Sequence, residues 1–400
     1  MNRTYGEEEG VSPPVVESSI KTRARIALMS YTIDNRRGKG TAIYARTLIE
    51  HMIEDDRFEF SLVHYDRVND ALYGMAQEIV IPEIPRLPFG TRFLRTMLFF
   101  WEYRHHRFDI IHWFQPRLYP FFWLAPAKHL VVTAHGAGDI TAPYKFIFSR
   151  SVFNFLMIHF NRFLAAIIAD SEFGKEEIRE WYRVEKEKVH TIHIGGGDRF
   201  RVMPKDSARR EIAKKYGIDS SFILDIARLE PNKNVLKVVE AYILARKRYG
   251  IREKLVIVGF KGHGHEKILE TAHESPYKND IVFLDYVAEE DLNAFYSAAE
   301  LFVFPSLNEG FGLPVVEAFS VGVPVITSNV SALPEIAGDA AVLVDPRNSA
   351  DIARAIHDAL SNPSLRELMI QKGLARARNF TWDKTAKETL TLYNTLLSKS

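Results

Sequence analysis

The sequence predicts an α/β protein with two doubly wound, Rossmann-like domains, each built on a parallel sheet. Short apolar runs rich in β-branched residues alternate with segments of helical periodicity along most of the chain. A polar, basic stretch at 195–210 interrupts this alternation once, so that one series of strands and helices lies on each side of it. The length of 400 residues and the apolar fraction of 46% are sufficient for two separate cores.

The first series of strands follows an N-terminal segment, 1–22, which is acidic and contains Pro and Ser, as disordered segments often do. That segment has no apolar core of the kind found in signal peptides. A glycine-rich turn follows the first strand and leads into the helix TAIYARTLIEHMI. The predicted strands of this series are, in order, RIALMS, FSLVHY, DIIHW, HLVVTAH, AAIIAD and KVHTIHI.

The apolar segment 151–169 is the best candidate for a membrane span. It carries Asn154, His159, Asn161 and Arg162 near its middle, which a spanning helix tolerates poorly. We therefore interpret it as a buried helix that runs into the strand AAIIAD.

The second series predicts strands at FILDIAR, KLVIVG, IVFLDYV, LFVFPS, PVITSN and AVLVDP, with helical sequence between them and on to Ser400. These boundaries predict an N-terminal domain at 23–200, a C-terminal domain at 201–380, and a last helix at 381–400 that packs back on the N-terminal domain. Ligands of parallel sheets bind beyond the carboxyl ends of the strands. We therefore expect the two domains to face each other across a ligand-binding cleft.

The charges are balanced, with 52 Lys and Arg against 51 Asp and Glu, so that no overall field would attract nucleic acid. No Cys is present, which excludes disulfides, thiolate zinc sites and Cys nucleophiles. This composition suits a cytoplasmic protein.

The loop after the first strand, SYTIDNRRGKG, places Gly38 and Gly40 just before a helix. Glycines at that point let backbone N–H groups approach a phosphate, and the helix N-terminus adds a positive dipole end. Arg36, Arg37 and Lys39 add positive charge. The spacing matches neither G-x-G-x-x-G nor a Walker loop, so that a phosphate-binding loop and a plain tight turn both remain open.

The loop ARLEPNKN follows the first strand of the second series and contains two cations. Arg228 comes directly after the strand, and Lys233 lies five residues further on, at the start of the next helix, where Asn232 is a candidate cap. A planar guanidinium and a compact ammonium together suit a diphosphate. A solvated surface pair is the alternative.

The loop and helix in FPSLNEGFGLPVVEAFSVGVP carry two glutamates. Glu309 lies on a Gly-flanked turn, and helical periodicity places Glu317 near the buried face of the next helix. A buried carboxylate needs a strong partner, and a ribose diol would provide two O–H donors. The alternative is a structural carboxylate that binds neighbouring backbone groups.

Together these loops resemble glycosyltransferase family 4, whose members are retaining nucleotide-sugar transferases with the GT-B fold of two facing Rossmann-like domains. The E-x7-E element of the family corresponds to Glu309 and Glu317, and its diphosphate clamp to Arg228 and Lys233. The segments SEFGKEEIREWYRVEKEKVHTI and SNVSALPEIAGDAAVLVDP also resemble the family. The resemblance extends over residues 24–395 and is strongest in the second half.

The resemblance implies a role for each matching position. Arg228 and Lys233 would bind the donor diphosphate, which Gly38 and Gly40 would also approach. Glu309 would face the hydroxyls of the donor sugar, next to His135. Glu317 would bind the ribose. Backbone contacts to the donor are implied for Val287, at the base, and for Gly310, Phe311 and Gly312.

Histidines and aromatic side chains are concentrated in the N-terminal half. His112 and His135 each end a strand-like run, which predicts that both imidazoles point toward the cleft. Asp139 is a candidate for an acceptor-side role. The spacing shows no convergent ligand set, so that no metal site is predicted.

Most aromatic residues of 89–123 recur at helical spacing and are expected in the core. The remainder would stack on sugars or rest on anionic lipid, together with the arginines of that segment, which are Arg92, Arg95, Arg104, Arg107 and Arg117.

The resemblance implies transfer of a hexose from a nucleoside diphosphate to a saccharide or lipid-linked saccharide, with retained configuration and without metal or other cofactor. GDP-mannose is the first expectation for the donor, because the segment after E-x7-E resembles bacterial mannosyltransferases. A cytoplasmic enzyme at the inner face of the membrane is expected, without a nucleic-acid partner. An epimerase or phosphorylase of the same architecture, and a non-catalytic sugar-nucleotide binder, remain as alternatives.

Overall fold

Two parallel β-sheets form the framework of the protein, in a computed structural model that describes residues 23–34, 40–82, 91–115, 121–136, 155 and 157–399. Within these described ranges, the first sheet has seven strands and the second has six. The predicted fold class, α/β with two parallel-sheet domains, is confirmed.

The strands of the first sheet are β1 (Ala24–Met29), β2 (Phe58–His64), β3 (Gln77–Val80), β4 (Phe108–Trp113), β5 (Ala127–Ala134), β6 (Ala166–Ala169) and β7 (Val189–Thr191). Their order is β3-β2-β1-β4-β5-β6-β7. The order reverses between β1 and β4, and ligands commonly bind at such a reversal. The described part of this domain includes the helices α1 (Gly40–Met52), α2 (Thr91–Glu102) and α3 (Glu172–Tyr182).

The strands of the second sheet are β8 (Phe222–Ile226), β9 (Lys254–Val258), β10 (Ile281–Leu284), β11 (Leu301–Phe304), β12 (Val325–Ser328) and β13 (Val342–Val344). Their order is β10-β9-β8-β11-β12-β13, with the reversal between β8 and β11.

The helices after the first domain are α4 (Lys205–Tyr216), α5 (Val235–Tyr249), α6 (His265–Glu274), α7 (Glu289–Ala298), α8 (Leu313–Ser320), α9 (Leu333–Ala337), α10 (Ser349–Ser361), α11 (Pro363–Ala377) and α12 (Trp382–Ser398). One apolar core surrounds the second sheet, and two clusters cover the two faces of the first.

Each of the predicted strand segments contains a strand, but the edge strand β3 was not predicted. Gln77 and Glu78 are exposed, so that only Ile79 of this short strand is fully buried and the apolar signal is weak. The polar stretch predicted as a linker is also shorter than expected, because α4 already begins at Lys205.

The last helix, α12, packs on the first sheet rather than on the domain that precedes it. Tyr393 donates or accepts a hydrogen bond of 2.5 Å between its hydroxyl and Nδ1 of His112 in β4. Apolar residues of α12, such as Leu390 and Leu396, share a cluster with Ile26 and Leu48 of the first domain. The chain therefore crosses between the domains twice.

The chain segment that leaves the first domain packs against the segment that returns to it, and glycines lie at the contact. A Cβ atom on Gly197 would lie 2.0 Å from the carbonyl oxygen of Ala377, and one on Gly195 would lie 2.4 Å from the backbone nitrogen of Trp382. The absence of side chains on these two glycines lets the linker and the returning chain pack backbone to backbone.

The segment 151–169 contains helical residues at 155 and 157–160, followed by a 3-10 turn at Asn161–Phe163 and then β6. Met157 is fully buried, while Phe155 and Phe163 are exposed. Within the described ranges, every helix is too short or too polar to cross a bilayer.

Candidate active site

Glu309 and Lys233 form an ion pair at the carboxyl edge of the second sheet. Glu309 lies in the loop between β11 and α8, and Lys233 in the 3-10 turn Pro231–Lys233 that precedes α5. Lys233 Nζ donates to both carboxylate oxygens of Glu309, at 2.7 and 2.9 Å, and the hydroxyl of Ser306 donates to Oε1 at 2.6 Å. The structure thus brings together two residues that were predicted from separate loops.

The two loops that carry this pair are tied together by hydrogen bonds. The carbonyl oxygen of Asn232 accepts from the backbone N–H of Leu307 at 2.8 Å and lies 3.0 Å from the hydroxyl oxygen of Ser306. The side-chain amide of Asn234 donates to the carbonyl oxygens of Pro305 and Pro346, at 2.9 and 2.7 Å. Asn234, rather than the predicted Asn232, therefore occupies the position before the helix, and it fixes the loops instead of capping α5.

Arg228, the other predicted cation, lies just beyond the end of β8. Its Nη2 is 3.1 Å from Oε1 of Glu230, and its side chain is 60% exposed. The backbone behind it is held close to the next loop, since a Cβ on Gly259 would meet the carbonyl oxygen of Ala227 at 1.9 Å. The guanidinium is thus largely exposed to solvent, while its backbone is held against the neighbouring loop.

Glu317 is buried on α8 and both of its carboxylate oxygens have protein partners. Arg199 donates from Nη1 to Oε1, and the hydroxyl of Tyr296 donates to Oε2 at 2.9 Å. Arg199 also donates to Glu289 at 2.7 Å. Burial raises the pKa of Glu317, and Arg199 acts in the opposite direction. A ribose at this acid would have to share it with the guanidinium.

Asp225 in β8 is a second buried carboxylate near these groups. Among the described residues, neither of its oxygens has a hydrogen-bond partner. Burial raises its pKa to about 8, with an opposing contribution from Lys233. The group is therefore protonated at neutral pH, when its O–H is a donor.

His135 follows β5 in the first domain and is held by two acceptors. Its Nδ1 is 2.8 Å from Oδ2 of Asp170, and its Nε2 is 2.9 Å from the carbonyl oxygen of Phe114. The ring of Tyr44 contacts it edge-on, with centroids 4.7 Å apart. These contacts fix the imidazole at the carboxyl edge of the first sheet.

The prediction that His112 points toward the cleft is wrong. Its side chain is fully buried and bonds Tyr393 and, through Nε2 at 2.9 Å, Thr133. Burial lowers the pKa of His112 to about 3. The imidazole is therefore a neutral anchor for α12, because the strand-end position that suggested the cleft is covered by the returning helix.

The two loops that carry Glu309 and His135 touch across the domain boundary. The hydroxyl of Ser171 in the first domain donates to the carbonyl oxygen of Gly310 at 2.7 Å. A Cβ on Gly310 would lie 2.4 Å from the carbonyl oxygen of His135, and one on Gly136 would lie 3.0 Å from Cα of Gly310. Only glycine permits this approach, which brings the two candidate residues to one place.

A second contact between the domains is made by Glu335. Its carboxylate accepts from the backbone N–H groups of Glu172 and Phe173, at 3.0 and 3.1 Å, and thus caps α3 of the other domain. Nε2 of His193 lies 2.8 Å from the same carboxylate. Burial acts to raise the pKa of Glu335, but its hydrogen bonds to His193 and to backbone N–H groups leave that pKa below its ordinary value.

The remaining predicted residues are distributed as follows. Gly40 is the first residue of α1, whereas Gly38 and Asp139 lie outside the described residues. Val287 and Phe311 are buried, and Gly312 precedes α8 with a φ of 106°. Their proposed contacts to a donor stay predictions. Over the same described ranges, no group of three His, Asp or Glu residues is arranged to hold a metal ion.

Sequence reasoning missed several residues of this region. Asp225 interrupts the apolar run FILDIAR and could have been singled out for that reason. Asp170 follows a buried strand directly, which is a comparable signal. Arg199 and Glu335 carry no such sequence signal, because their partners are distant in the sequence.

Arg95 does not lie on an exposed surface, contrary to the grouping made from the sequence. Its side chain is buried and donates to the backbone carbonyl oxygens of Tyr65, Ile81 and Pro82. It holds α2 against the sheet. Arg117 lies outside the described residues.

Two family models match the chain. Residues 38–195 match the model described as Glycosyltransferase Family 4, and residues 208–376 match the one described as Glycosyl transferases group 1. Each match falls within one of the two sheet domains and the helices packed around it.

The chain is similar in sequence to curated glycosyltransferases. It is 33% identical over 232 residues to O-antigen chain mannosyltransferase B of Escherichia coli, covering 58% of this chain and 60% of that protein. It is 31% identical over 238 residues to the serotype-specific mannosyltransferase WbdA of Escherichia coli, covering 59% of this chain and 29% of that protein. The chain thus matches less than two thirds of the length of these relatives.

Solved structures with the same fold cover nearly the whole chain. Sucrose-phosphate synthase from Thermosynechococcus elongatus aligns with a TM-score of 0.73 at 21% identity, covering 94% of this chain and 100% of that one. Anabaena Alr3699/HepE in complex with UDP and glucose aligns with a TM-score of 0.72 at 18% identity, with coverages of 94% and 100%. At these identities the likeness shows the fold alone, which is GT-B.

Proposed function

From the match of its two domains to the two glycosyltransferase models, we infer that this chain is a family 4 glycosyltransferase with the GT-B fold. We propose that it transfers a hexose from a nucleoside diphosphate to an acceptor hydroxyl. The observation that carries this proposal is the contact between the Glu309 loop and the His135 loop, next to the Lys233–Glu309 pair. A donor placed there would have cations at its diphosphate and polar groups at its sugar.

The proposed clamp acts on the charge that develops as the glycosidic bond breaks. The bond electrons pass to the β-phosphate, and Lys233 and Arg228 stabilise that charge by fixed electrostatics. Both cations are paired with carboxylates, Lys233 with Glu309 and Arg228 with Glu230. Donor binding therefore exchanges carboxylate partners for phosphate oxygens, and this exchange releases Glu309 to accept from the sugar hydroxyls.

We propose that configuration is retained through attack on the same face of the sugar. The departing phosphate takes the proton of the acceptor hydroxyl, so that no second carboxylate is needed as a base. Glu309 then acts as a positioning residue for the donor sugar. Contact between the domains excludes water, which limits hydrolysis of the donor.

GDP-mannose is proposed as the donor, because two relatives are mannosyltransferases. The acceptor is proposed to be a saccharide or a lipid-linked saccharide, since one of these relatives is an O-antigen chain mannosyltransferase. Transfer without a metal ion, in the cytoplasm at the inner face of the membrane, completes the proposal.

The test is a transfer assay with GDP-mannose and UDP-hexoses, with product configuration read by NMR. Glu309→Ala should abolish transfer but retain nucleotide binding, whereas Arg228→Ala should lose both. Arg347→Ala, at an exposed position, is the control. Transfer at the normal rate by Glu309→Ala would refute the site. Conversion of the donor to a different nucleotide sugar in the absence of acceptor would indicate an epimerase. Binding of the donor without any turnover would indicate a non-catalytic protein.

A further inference from the structure

Both ring nitrogens of His135 face oxygen atoms that accept hydrogen bonds. Nδ1 lies 2.8 Å from Oδ2 of Asp170, and Nε2 lies 2.9 Å from the backbone carbonyl oxygen of Phe114. A carbonyl oxygen only accepts, so that Nε2 must carry a hydrogen to make its bond. An ionised carboxylate likewise only accepts, which requires a second hydrogen on Nδ1. An imidazole that satisfies both partners is therefore doubly protonated and positively charged.

Asp170 follows β6 directly and is the acid of this pair. Its side chain is only 2% exposed, and among the described residues its Oδ1 has no hydrogen-bond partner. A buried carboxylate in that situation needs a cation beside it to remain ionised. Carboxyl groups are ordinarily stronger acids than imidazolium groups by about two to three units of pKa. The proton between the two side chains therefore belongs on the imidazole.

Two titratable neighbours of the ring are neutral and add no positive charge beside it. Tyr44 of α1 contacts the ring of His135 edge-on, and its burial raises the pKa of Tyr44 far above the working range, an effect that Asp170 strengthens. His112 of β4 is buried as well. Burial lowers the pKa of His112 to about 3, and the charge of His135 acts in the same direction.

The charged neighbours on either side of the domain boundary also allow a positive ring. On the side of α3, a Cβ atom on Gly136 would lie 3.6 Å from Oε2 of Glu177, which brings a second acid close to the residue after the histidine. On the side of the second domain, Glu309 precedes Gly310 in the chain and is paired with Lys233 at 2.7 Å. The charge of that lysine is thus compensated by its own partner.

We propose that Asp170 is a positioning residue of the transfer reaction and acts by holding His135 as an imidazolium. In this state both ring nitrogens carry a hydrogen and neither has a lone pair, so that the ring cannot serve as a general base. The effect on transfer rests on the proposed function, whereas the charge of the ring does not.

Asp170 and Ser171 together fasten the two loops that meet at the domain boundary. Asp170 binds the ring of His135, and the hydroxyl of Ser171 donates to the carbonyl oxygen of Gly310 at 2.7 Å. The carbonyl oxygen of His135 lies at the same contact, 2.4 Å from a Cβ placed on Gly310. Loss of a ring proton would leave one nitrogen lone pair facing an acceptor oxygen, and the ring would turn or the loop would move. The alignment of the two loops therefore depends on the proton that Asp170 retains.

The first test reads the charge of the ring without any assay of activity. In the full chain labelled with 15N-histidine, the NMR signals of His135 are assigned by their loss in His135→Gln. We expect both nitrogens to be protonated at about pH 7.5, where an ordinary histidine is mostly neutral. A neutral ring at that pH in the unmodified chain would overturn the proposal.

Asp170→Asn keeps the shape of the side chain and an acceptor oxygen but removes the charge. The pH at which His135 loses its proton should therefore fall by at least about one unit. Asp109→Asn is the matched control, because Asp109 lies near the amino end of β4 in the same sheet and pairs there with Lys128 at 2.8 Å. Equal titration of His135 in the unmodified chain and in Asp170→Asn would also overturn the proposal.

The pH profile of transfer separates this role from two others. We expect kcat to fall as the pH rises through the titration of His135, and Asp170→Asn should move that fall to lower pH by at least about one unit. A kcat that rises with pH through the same range would identify His135 as a general base, and a loss by the same factor at every pH would mean that Asp170 is only structural. Either result would contradict the proposal. Absence of transfer by the unmodified chain would instead refute the proposed function, and the NMR titration would still decide the charge of the ring.

Discussion

At the scale of single residues, Arg199 changes the interpretation of Glu317. Glu317 was expected to bind a ribose, but its two carboxylate oxygens accept hydrogen bonds from Arg199 and Tyr296. A buried carboxylate without such a partner would take up a proton instead of remaining ionised. Arg199 therefore opposes protonation of Glu317 and fixes the position of its carboxyl group.

Replacement of Arg199 by Met should make nucleotide affinity depend on pH. Burial already raises the pKa of Glu317, and loss of the cation that opposes this effect raises it further. Nucleotide binding that needs the ionised acid should then weaken as the pH falls, roughly tenfold for each pH unit below the new pKa. Isothermal titration of the nucleotide over a series of pH values measures this dependence.

Arg199→Lys should restore much of the affinity at low pH, because it restores the charge. A purely structural role for Arg199 would instead lower the affinity by the same factor at every pH. That second result would contradict the assignment.

The candidate site could be predicted from the sequence where its residues lie on recognisable loops. Lys233 and Glu309 each stood on a loop after a buried strand, and the structure joins them at 2.7 Å. Arg199 and Glu335 could not be predicted, because the segments that they pair with are brought together by the packing of two domains. His112 was misjudged for the same reason, since the strand pattern does not reveal which strand ends another helix will cover.

At the scale of elements, the return of α12 to the first domain is the feature with the clearest energetic consequence. Its contacts include the hydrogen bond from Tyr393 to the buried His112 and an apolar cluster. The strands were predicted well because parallel sheets bury both faces and give continuous apolar runs. The edge strand β3 lacks such a run, and its pairing with β2 depends on a neighbour that sequence pattern does not identify.

Replacement of Tyr393 by Phe should destabilise the chain by about 1–3 kcal/mol, because a buried imidazole nitrogen loses its partner. Urea unfolding followed by circular dichroism measures the change. Tyr249→Phe is the control, since this partly buried tyrosine stacks on His357 with a centroid distance of 4.4 Å. Equal stability of the two variants would mean that the Tyr393–His112 bond does not anchor the helix.

At the scale of the whole molecule, the two domains meet both through closely approaching backbone and through the side chain of Glu335. Gly310 and Gly136 allow the Glu309 and His135 loops to touch, and Glu335 caps a helix of the opposite domain. The two-domain architecture could be predicted from the single interruption of the strand–helix alternation. The contact itself could not, because glycines at loop tips occur for many reasons.

Gly310→Ala should therefore slow transfer without abolishing donor binding. A Cβ at this position would lie 2.4 Å from the carbonyl oxygen of His135, so that the loops must separate by a large fraction of an ångström. Misplacement on that scale costs about a hundredfold in rate. Steady-state transfer assays measure the effect, with Gly74→Ala as control, because a Cβ there has no atom within 4 Å. Normal turnover by Gly310→Ala would argue against a requirement for this contact.

The most direct test of the central claim is titration of GDP, UDP and dTDP into the unmodified chain and into Lys233→Ala and Arg228→Ala. We predict that one of these diphosphates binds the unmodified chain. Its affinity should fall at least about tenfold in each variant, because a charge-assisted contact is lost. The corresponding nucleoside monophosphate should bind weakly to all three proteins. Equal affinity of the diphosphate for all three proteins, or no binding of any nucleoside diphosphate to the unmodified chain, would contradict the account.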